Sequence, residues 1–380
     1  MERKTDILVV GGGPAGVISA ITTHRYYPQK KILLIKSVGK GVIPCGIPYM
    51  LSSLKNPEEN ILGNASLEKN NIGVVVDEIV KVDREGKSVY TKNKDSYSYE
   101  KLILAIGSEP IIPPIPGIEK KGIYPVHKDM GYLKDLVEEI KRAKNILVLG
   151  GGFIGVEFAD ELSQIKDTNV YLAEMLPHLL ANSFDLEFSQ LVEEKLVANG
   201  VNILTNKRVT EFIGKEKVKR VRFSDGQELK IGAVILGIGA KPNTRLALDA
   251  GLDLGKGKGI WVDEYMRTVD PDIFAVGDCA GKRDFFTRKD APVMLASIAT
   301  AEARIAGTNL YQLKLVRENK GTIAAYSTYV NGLVLGSAGL TEQTAKKEGF
   351  EIITGTMDGA DKHPTTLPNA NKIKVKLIFS

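Results

Sequence analysis

Cysteine is nearly absent from this chain: there are two in 380 residues, Cys45 and Cys279. Two thiols are too few for a disulfide framework, so a reducing compartment is expected, with the cytoplasm as the default location. Long apolar runs are also missing, which excludes a helical membrane span. An apolar strand begins within a few residues of Met1 and leaves no room for a signal peptide. Charge of one sign is not in excess either. The 51 basic and 46 acidic residues are interspersed and give a net charge of +5. That balance does not point to nucleic acid, though it suits an anionic small ligand. Histidine is scarce, at four. His24 and His178 read as surface residues, and no metal site is expected. What remains is an ordinary globular composition, 43% hydrophobic and 26% charged, long enough for two or three domains.

Glycine, by contrast, is concentrated in a repeat. "DILVVGGGPAG" (Asp6 to Gly16) and "NILVLGGGFIG" (Asn145 to Gly155) are nearly the same phrase. Each opens with a short apolar run, as a buried parallel strand does. Each then gives G-x-G-x-x-G: Gly11, Gly13 and Gly16, with Pro14 and Ala15 between, and Gly150, Gly152 and Gly155, with Phe153 and Ile154 between. The first glycine makes the tight turn, the second lets a pyrophosphate approach the backbone, and the third lets helix pack on strand. The phosphates then rest on the helix N-terminus. Two such units in one chain predict two dinucleotide sites. At the end of the second strand an acid is expected to hold the ribose hydroxyls. The second unit has Glu174 there, which favours NADH over NADPH by repelling a 2′-phosphate. The first has Lys36, which cannot accept a hydrogen bond. Either that site takes a 2′-phosphorylated nucleotide or it holds its ribose by another route.

Downstream, "TVDPDIFAVGDCA" predicts a strand, Ile273 to Val276, ending in Gly277 and Asp278. Together with "LILAIGSEP", "LGIGAKPNT" and the two glycine motifs, this makes the chain resemble, over essentially its whole length, the FAD-dependent pyridine nucleotide–disulfide oxidoreductases. The resemblance implies an α/β fold: two Rossmann-like dinucleotide-binding domains plus a C-terminal α+β dimerisation domain. Residues 1–112 and 243–312 would form the FAD domain, 113–242 the inserted NAD(P)H domain, and 313–380 the partial dimerisation domain of a homodimer. It also implies FAD at the first glycine motif and NADH at the second. Asp278 would hold the ribityl chain, and Ile79, Ala105, Gly107, Gly277 and Ala296 would complete the FAD site. Gly239 would join the NAD site. Lys36 departs from the family's usual Glu.

"GVIPCGIPYML" (Gly41 to Leu51) places Cys45 between two prolines at the apparent start of a helix. Taken alone, such a cysteine could be a small buried residue or a thiolate favoured by the helix dipole, with a lowered pKa. Met50 stands where the family's two-cysteine members have their second thiol. Cys45-Gly46-Ile47-Pro48-Tyr49 instead resembles the single-cysteine branch of coenzyme A disulfide reductases, NADH oxidases and peroxidases, and persulfide or polysulfide reductases. That branch implies Cys45 as the redox thiol, Phe153 as an aromatic over the flavin, and Glu157 as an acid near the nicotinamide. Pro14, where peroxidases have histidine, weighs against peroxide. Arg25 and Arg304 match arginines that hold coenzyme A, and His363 stands where a tyrosine is usual. The implied acceptor is a small sulfur compound, with oxygen or a rubredoxin-type carrier as alternatives. Near the end, "GLTEQTAKKEG" predicts a helix capped by Thr341 and stopped at Gly349, and "KIKVKLIFS" a half-buried strand. Family members normally run on, so the last domain is expected to be abbreviated or truncated.

Overall fold

The computed structural model describes residues 2–380. The first apolar run forms the strand Ile7–Val10, buried along its whole length. It lies at the centre of a five-stranded parallel sheet, in the order Ile273–Ala275, Lys101–Leu104, Ile7–Val10, Ile32–Lys36, Gly73–Val76. The helix Pro14–Tyr26 follows the first strand, with Gly13 as N-cap and Pro14 at its first turn. Proline is favoured there because its missing N–H would have no partner anyway. The helix Ala296–Thr308 packs along it so closely that a Cβ on Gly307 would stand 3.0 Å from the Ser19 carbonyl oxygen.

The second half repeats the plan. Its parallel sheet runs Ile123–Pro125, Ala233–Leu236, Asn145–Leu149, Asn169–Ala173, Asn202–Leu204. The helix Phe153–Ser163 follows the central strand. Chain passes between the two sheets at Ser108–Pro110 and Ala240–Pro242, and these strands pair antiparallel. Ile273–Ala275 then returns to the first sheet. The two glycine turns are alike in detail. Gly11 has φ +118°, and a Cβ there would lie 2.1 Å from the Ala105 carbonyl oxygen. A Cβ on Gly16 would meet the Gly11 carbonyl oxygen at 2.0 Å, and one on Gly155 the Gly150 carbonyl oxygen at 1.7 Å. No other residue fits these positions without moving backbone.

The C-terminal part holds the hairpin Ala325–Val330/Leu333–Ala338, the helix Glu342–Lys347, and the hairpin Ile353–Ala360/Lys372–Phe379. Thr341 caps the helix by accepting from the Thr344 N–H, and Gly349 follows at φ +84°. The expected half-burial of the last strand is not found. Leu377 and Phe379 are 54% and 60% exposed, because the strand pairs only with Ile353–Ala360 and nothing among the described residues covers the face that carries them. Its anchor is polar. Lys376 Nζ reaches Asp185 at 3.1 Å and Glu187 and Glu342 at 2.7 Å.

Candidate active site

A cleft of about 1920 Å³ runs between the two sheets, lined by both glycine loops, by Cys45 and by the first C-terminal hairpin. Gly11, Gly13, Pro14, Ala15, Lys36, Ile79, Ala105, Gly107, Asp278 and Ala296 line its first half. Gly150, Gly152, Phe153, Ile154, Glu157, Glu174 and Gly239 line its second. Gly16, Gly155 and Gly277 lie behind the lining, where closeness of packing is their contribution. A Cβ on Gly277 would sit 2.8 Å from that of Ala15. Arg25, Arg304 and His363 do not line the cleft.

Both loops fit a dinucleotide. A Cβ on Gly13 or Gly152 would meet nothing within 4 Å, so the middle glycine of each loop opens on free space at a helix N-terminus. That is the geometry a pyrophosphate needs. The strand-end residues differ. Glu174 accepts from the Gly151 N–H at 2.6 Å with Oε2 and from the Leu176 N–H at 2.8 Å with Oε1. Lys36 donates from Nζ to the Gly39 carbonyl and to Asn64 Oδ1, each at 2.8 Å. Burial holds the Lys36 ammonium below its ordinary pKa.

Asp278 accepts from Ser108 Oγ at 2.7 Å and from Lys128 Nζ at 3.2 Å. Its turn is fixed from below. Gly277, at φ +75°, donates its N–H to Glu302 Oε2 at 2.8 Å, and the buried Lys282 bridges that oxygen at 3.1 Å and the Gly277 carbonyl at 2.6 Å. Burial still pushes the Glu302 carboxyl above its usual range.

Cys45 is open to the cleft, while Cys279 is buried. The element around Cys45 is the three-residue turn Pro44–Gly46, followed by another, Pro48–Met50, rather than a helix. The expected helix dipole is therefore small, and the expected depression of the thiol pKa does not occur. Desolvation by the cleft walls pushes the thiol up, Glu157 adds to this, and Lys128 opposes it. Tyr49, four residues on, is raised to about 12, first by burial and then by Glu157, Glu161 and Asp160.

Glu157 is half-buried and its carboxyl is pushed up to about 7, chiefly by desolvation, against a hydrogen bond from Thr328 Oγ1 at 2.9 Å. Phe153 stacks on Tyr326 of the C-terminal hairpin, with ring centres 5.0 Å apart and planes 21° from parallel. It also meets Phe184 edge-on at 6.0 Å. The same helix ends in two more committed acids. Asp160 Oδ2 accepts from the Asn331 N–H at 3.1 Å. Glu161 accepts from the Ser53 N–H at 2.8 Å, from Ser53 Oγ at 2.6 Å and from Ser52 Oγ, tying the helix to the segment that carries Cys45.

Sequence reasoning missed Lys128, Tyr326, Thr328 and Glu161. No motif contains them: Tyr326 and Thr328 reach the cleft only when the C-terminal hairpin folds back on it, Lys128 gains its partners only when Ser108 and Asp278 come together, and Glu161 only when Ser52 and Ser53 meet its helix. His127, next to Lys128, packs edge-on against Tyr132 at 5.0 Å and does not line the cleft.

The sequence pattern of the pyridine nucleotide-disulphide oxidoreductases matches residues 5–303. The chain is 29% identical over 384 residues to an NADH oxidase of Enterococcus faecalis, covering 98% of this chain and 84% of that one. It is equally, at 29% over 382 residues, similar to the NAD(P)H coenzyme A polysulfide/persulfide reductase of Pyrococcus horikoshii, covering 99% and 84%. Among solved structures, the NAD-dependent persulfide reductase of A. fulgidus superimposes with a TM-score of 0.91 at 30% identity, over 100% of this chain and 71% of that one. The two glycine-loop sheets, the shared cleft and these matches agree: the chain belongs to the pyridine nucleotide-disulphide oxidoreductase family.

Proposed function

We propose that this protein is an FAD-dependent NADH oxidoreductase that delivers electron pairs to a small sulfur substrate at Cys45. The observation that carries this is the opening of the Cys45 thiol into a cleft that both glycine loops line. FAD, held there, would supply the two-electron relay between NADH and sulfur. In this reading residues 1–112 and 243–312 hold FAD, residues 113–242 hold NADH, and 313–380 contribute to a homodimer in the cytoplasm. The loop at Gly11, Gly13 and Gly16 takes the FAD pyrophosphate, and Asp278 accepts from the ribityl hydroxyls. The loop at Gly150, Gly152 and Gly155 takes the NADH pyrophosphate, and Glu174 accepts from its ribose. Phe153, stacked on Tyr326, covers the second loop until nicotinamide displaces it.

The substrate step is a thiol–disulfide exchange. The Cys45 thiolate attacks one sulfur of R–S–S–R′, forming Cys45–S–S–R and releasing R′S⁻, which takes a proton. The two electrons of NADH then cleave the mixed disulfide and return Cys45 to the thiolate with release of RSH. The sum is NADH + H⁺ + RSSR′ → NAD⁺ + RSH + R′SH. Glu157, with Oε1 engaged by Thr328 and a pKa of about 7, is able to hold or release a proton beside Cys45 near neutral pH. Lys128 favours the thiolate by its charge. Arg25 and Arg304 have no ion-pair partner among the described residues, and in this reading they are free to meet the phosphates of a coenzyme A substrate.

The equal likeness to an NADH oxidase supports a second reading, in which oxygen is the acceptor. Anaerobic NADH turnover with coenzyme A disulfide, polysulfide and a rubredoxin, and with oxygen measured separately, separates the two. Under the first reading Cys45→Ser abolishes turnover with the sulfur substrate. Sulfur turnover by that variant at the parent rate refutes it.

A further inference from the structure

The segment that carries Cys45 also carries a phenol. Ile47, between the turns Pro44–Gly46 and Pro48–Met50, has φ −61° and ψ −47°. Ile47, Met50 and Leu51 each donate their N–H to the carbonyl three residues back, at 3.2 Å. One short helical path therefore separates Cys45 from Tyr49, and both residues line the cleft. Tyr49 is half-buried, and its phenol oxygen has no hydrogen-bond partner among the described residues. A phenol in such a setting usually has one. Tyr27 donates to the Thr308 carbonyl, Tyr132 to the Pro125 carbonyl and Tyr311 to Glu100, each at 2.7 Å.

The acids whose charge acts on Tyr49 are Glu157, Glu161 and Asp160, and none accepts from it. They are engaged elsewhere, by Thr328, by Ser52 and Ser53, and by the Asn331 N–H. Burial, with these acids and a charge on Cys45 adding to it, pushes the phenol up to about 12. At neutral pH the group is therefore an un-ionised O–H with its donor free, on the wall that presents the thiol. We propose that Tyr49 is a catalytic residue of the sulfur step, its O–H donating a hydrogen bond to the leaving sulfur of the disulfide substrate. As the Cys45 thiolate attacks R–S–S–R′, the S–S bond breaks and its electron pair passes to R′S⁻. Tyr49 stabilises the charge arriving there and keeps its own proton, because it is a weaker acid than a released thiol of pKa about 8.5. Glu157, at about 7, is acidic enough to supply the proton that R′S⁻ takes. The proposal rests on the reading that Cys45 exchanges with a sulfur substrate.

The test follows mixed-disulfide formation at Cys45 in the flavin-loaded full chain by rapid quenching and mass spectrometry. Oxidised glutathione, with a basic aliphatic leaving thiolate, is compared with dithiodipyridine, whose leaving group is weakly basic and needs little help. Tyr49→Phe should slow exchange with oxidised glutathione by about 10- to 100-fold, the range for a lost hydrogen bond to a charged group. Exchange with dithiodipyridine should change by less than about 3-fold. Alkylation by iodoacetamide, which has no sulfur leaving group, should not change. A structural role for Tyr49 would move all three rates together. Equal loss in all three, or no loss with oxidised glutathione, overturns the proposal. Should the variant not fold, the parent chain supplies a second measurement. Across a series of disulfides its exchange rate should depend less steeply on leaving-thiol pKa than that of a small thiol in solution, and equal steepness overturns the proposal. A parent chain whose Cys45 alkylates but exchanges with no disulfide refutes instead the sulfur reading of the site.

Discussion

Glu157→Gln isolates the cost of keeping an acid in the middle of this cleft. The carboxyl rises from an ordinary 4.5 to about 7, burial being the main cause, the Thr328 hydrogen bond opposing it and Glu161 adding to it. At 1.36 kcal/mol per pKa unit this is roughly 3 kcal/mol of preference for the protonated form. The sign follows from proton counting. Between pH 4.5 and about 7 the folded chain keeps a proton that the unfolded chain releases, so stability falls as pH rises through this window. Above it the full cost of a buried charge is present, and below 4.5 both states are protonated and the cost vanishes. Glutamine keeps the oxygen that Thr328 donates to and never ionises. The variant should therefore be more stable than the parent at pH 8 by about 1–3 kcal/mol, seen as a rise of about 2–6 °C in the unfolding midpoint. The advantage should shrink towards zero near pH 4.5. Thermal unfolding of both chains across pH 4.5–8, at equal flavin saturation, measures it. A constant difference across that range would show that Glu157 is not the buried acid described here.

Three further outcomes follow from the same geometry. In flavin-free protein, Cys45 alkylation should titrate with a midpoint above the free-thiol value of about 8.5, and Lys128→Met should move that midpoint further up by removing a nearby cation that lowers it. A midpoint below 8 in the parent would contradict the desolvated thiol. Glu174→Ala should reduce the preference for NADH over NADPH in kcat/KM by about 5- to 150-fold, the equivalent of removing a like-charge clash of about 1–3 kcal/mol; an unchanged ratio places the specificity elsewhere. Glu161→Ala strips the Ser53 N–H and both serine hydroxyls of their acceptor, so it should cost about 2 kcal/mol or more of stability and also change the alkylation rate of Cys45. Loss of stability with an unaltered thiol would confine Glu161 to a packing role.

The parts of this protein that were legible in its sequence are those in which backbone geometry dictates residue type. Gly11, Gly16 and Gly155 stand where a Cβ would strike a carbonyl oxygen, and a chain with that turn has no other choice. The apolar runs Ile7–Val10 and Asn145–Leu149 are central strands of parallel sheets, and the sheet environment permits little else. Cys45 was legible through its prolines, but its titration was not. The dipole argument needed a helix, and Pro44 and Pro48 each start a turn of only three residues. Half-burial of the last strand failed for a related reason. Alternation in "KIKVKLIFS" shows which residues share a face, not whether anything covers that face. Lys128 was invisible for a third reason, since a lysine after a short strand has no pattern until Ser108 and Asp278 come within hydrogen-bond reach.

The helix Phe153–Ser163 shows what the motif reading could not supply. Phe153 and Glu157 were found because they lie in or beside the second glycine loop. Asp160 and Glu161 look like solvent-facing acids. Yet positions 153, 157, 160 and 161 are one helical face, and that face is where three parts of the chain meet. Phe153 stacks on Tyr326, Glu157 accepts from Thr328, Asp160 accepts from the Asn331 N–H, and Glu161 holds Ser52 and Ser53. The loop that would take the NADH pyrophosphate and the segment that carries Cys45 are therefore tied to a single rigid element. The hydrogen bonds of Ser52 and Ser53 to Glu161 fix the Cys45 segment to the same helix that opens with the second glycine loop. Three acids on one buried face repel one another, and the rise of the Glu157 pKa is in part that repulsion. Each acid makes a different connection, and a helix with an apolar stripe in their place would pack the cleft without joining its two halves.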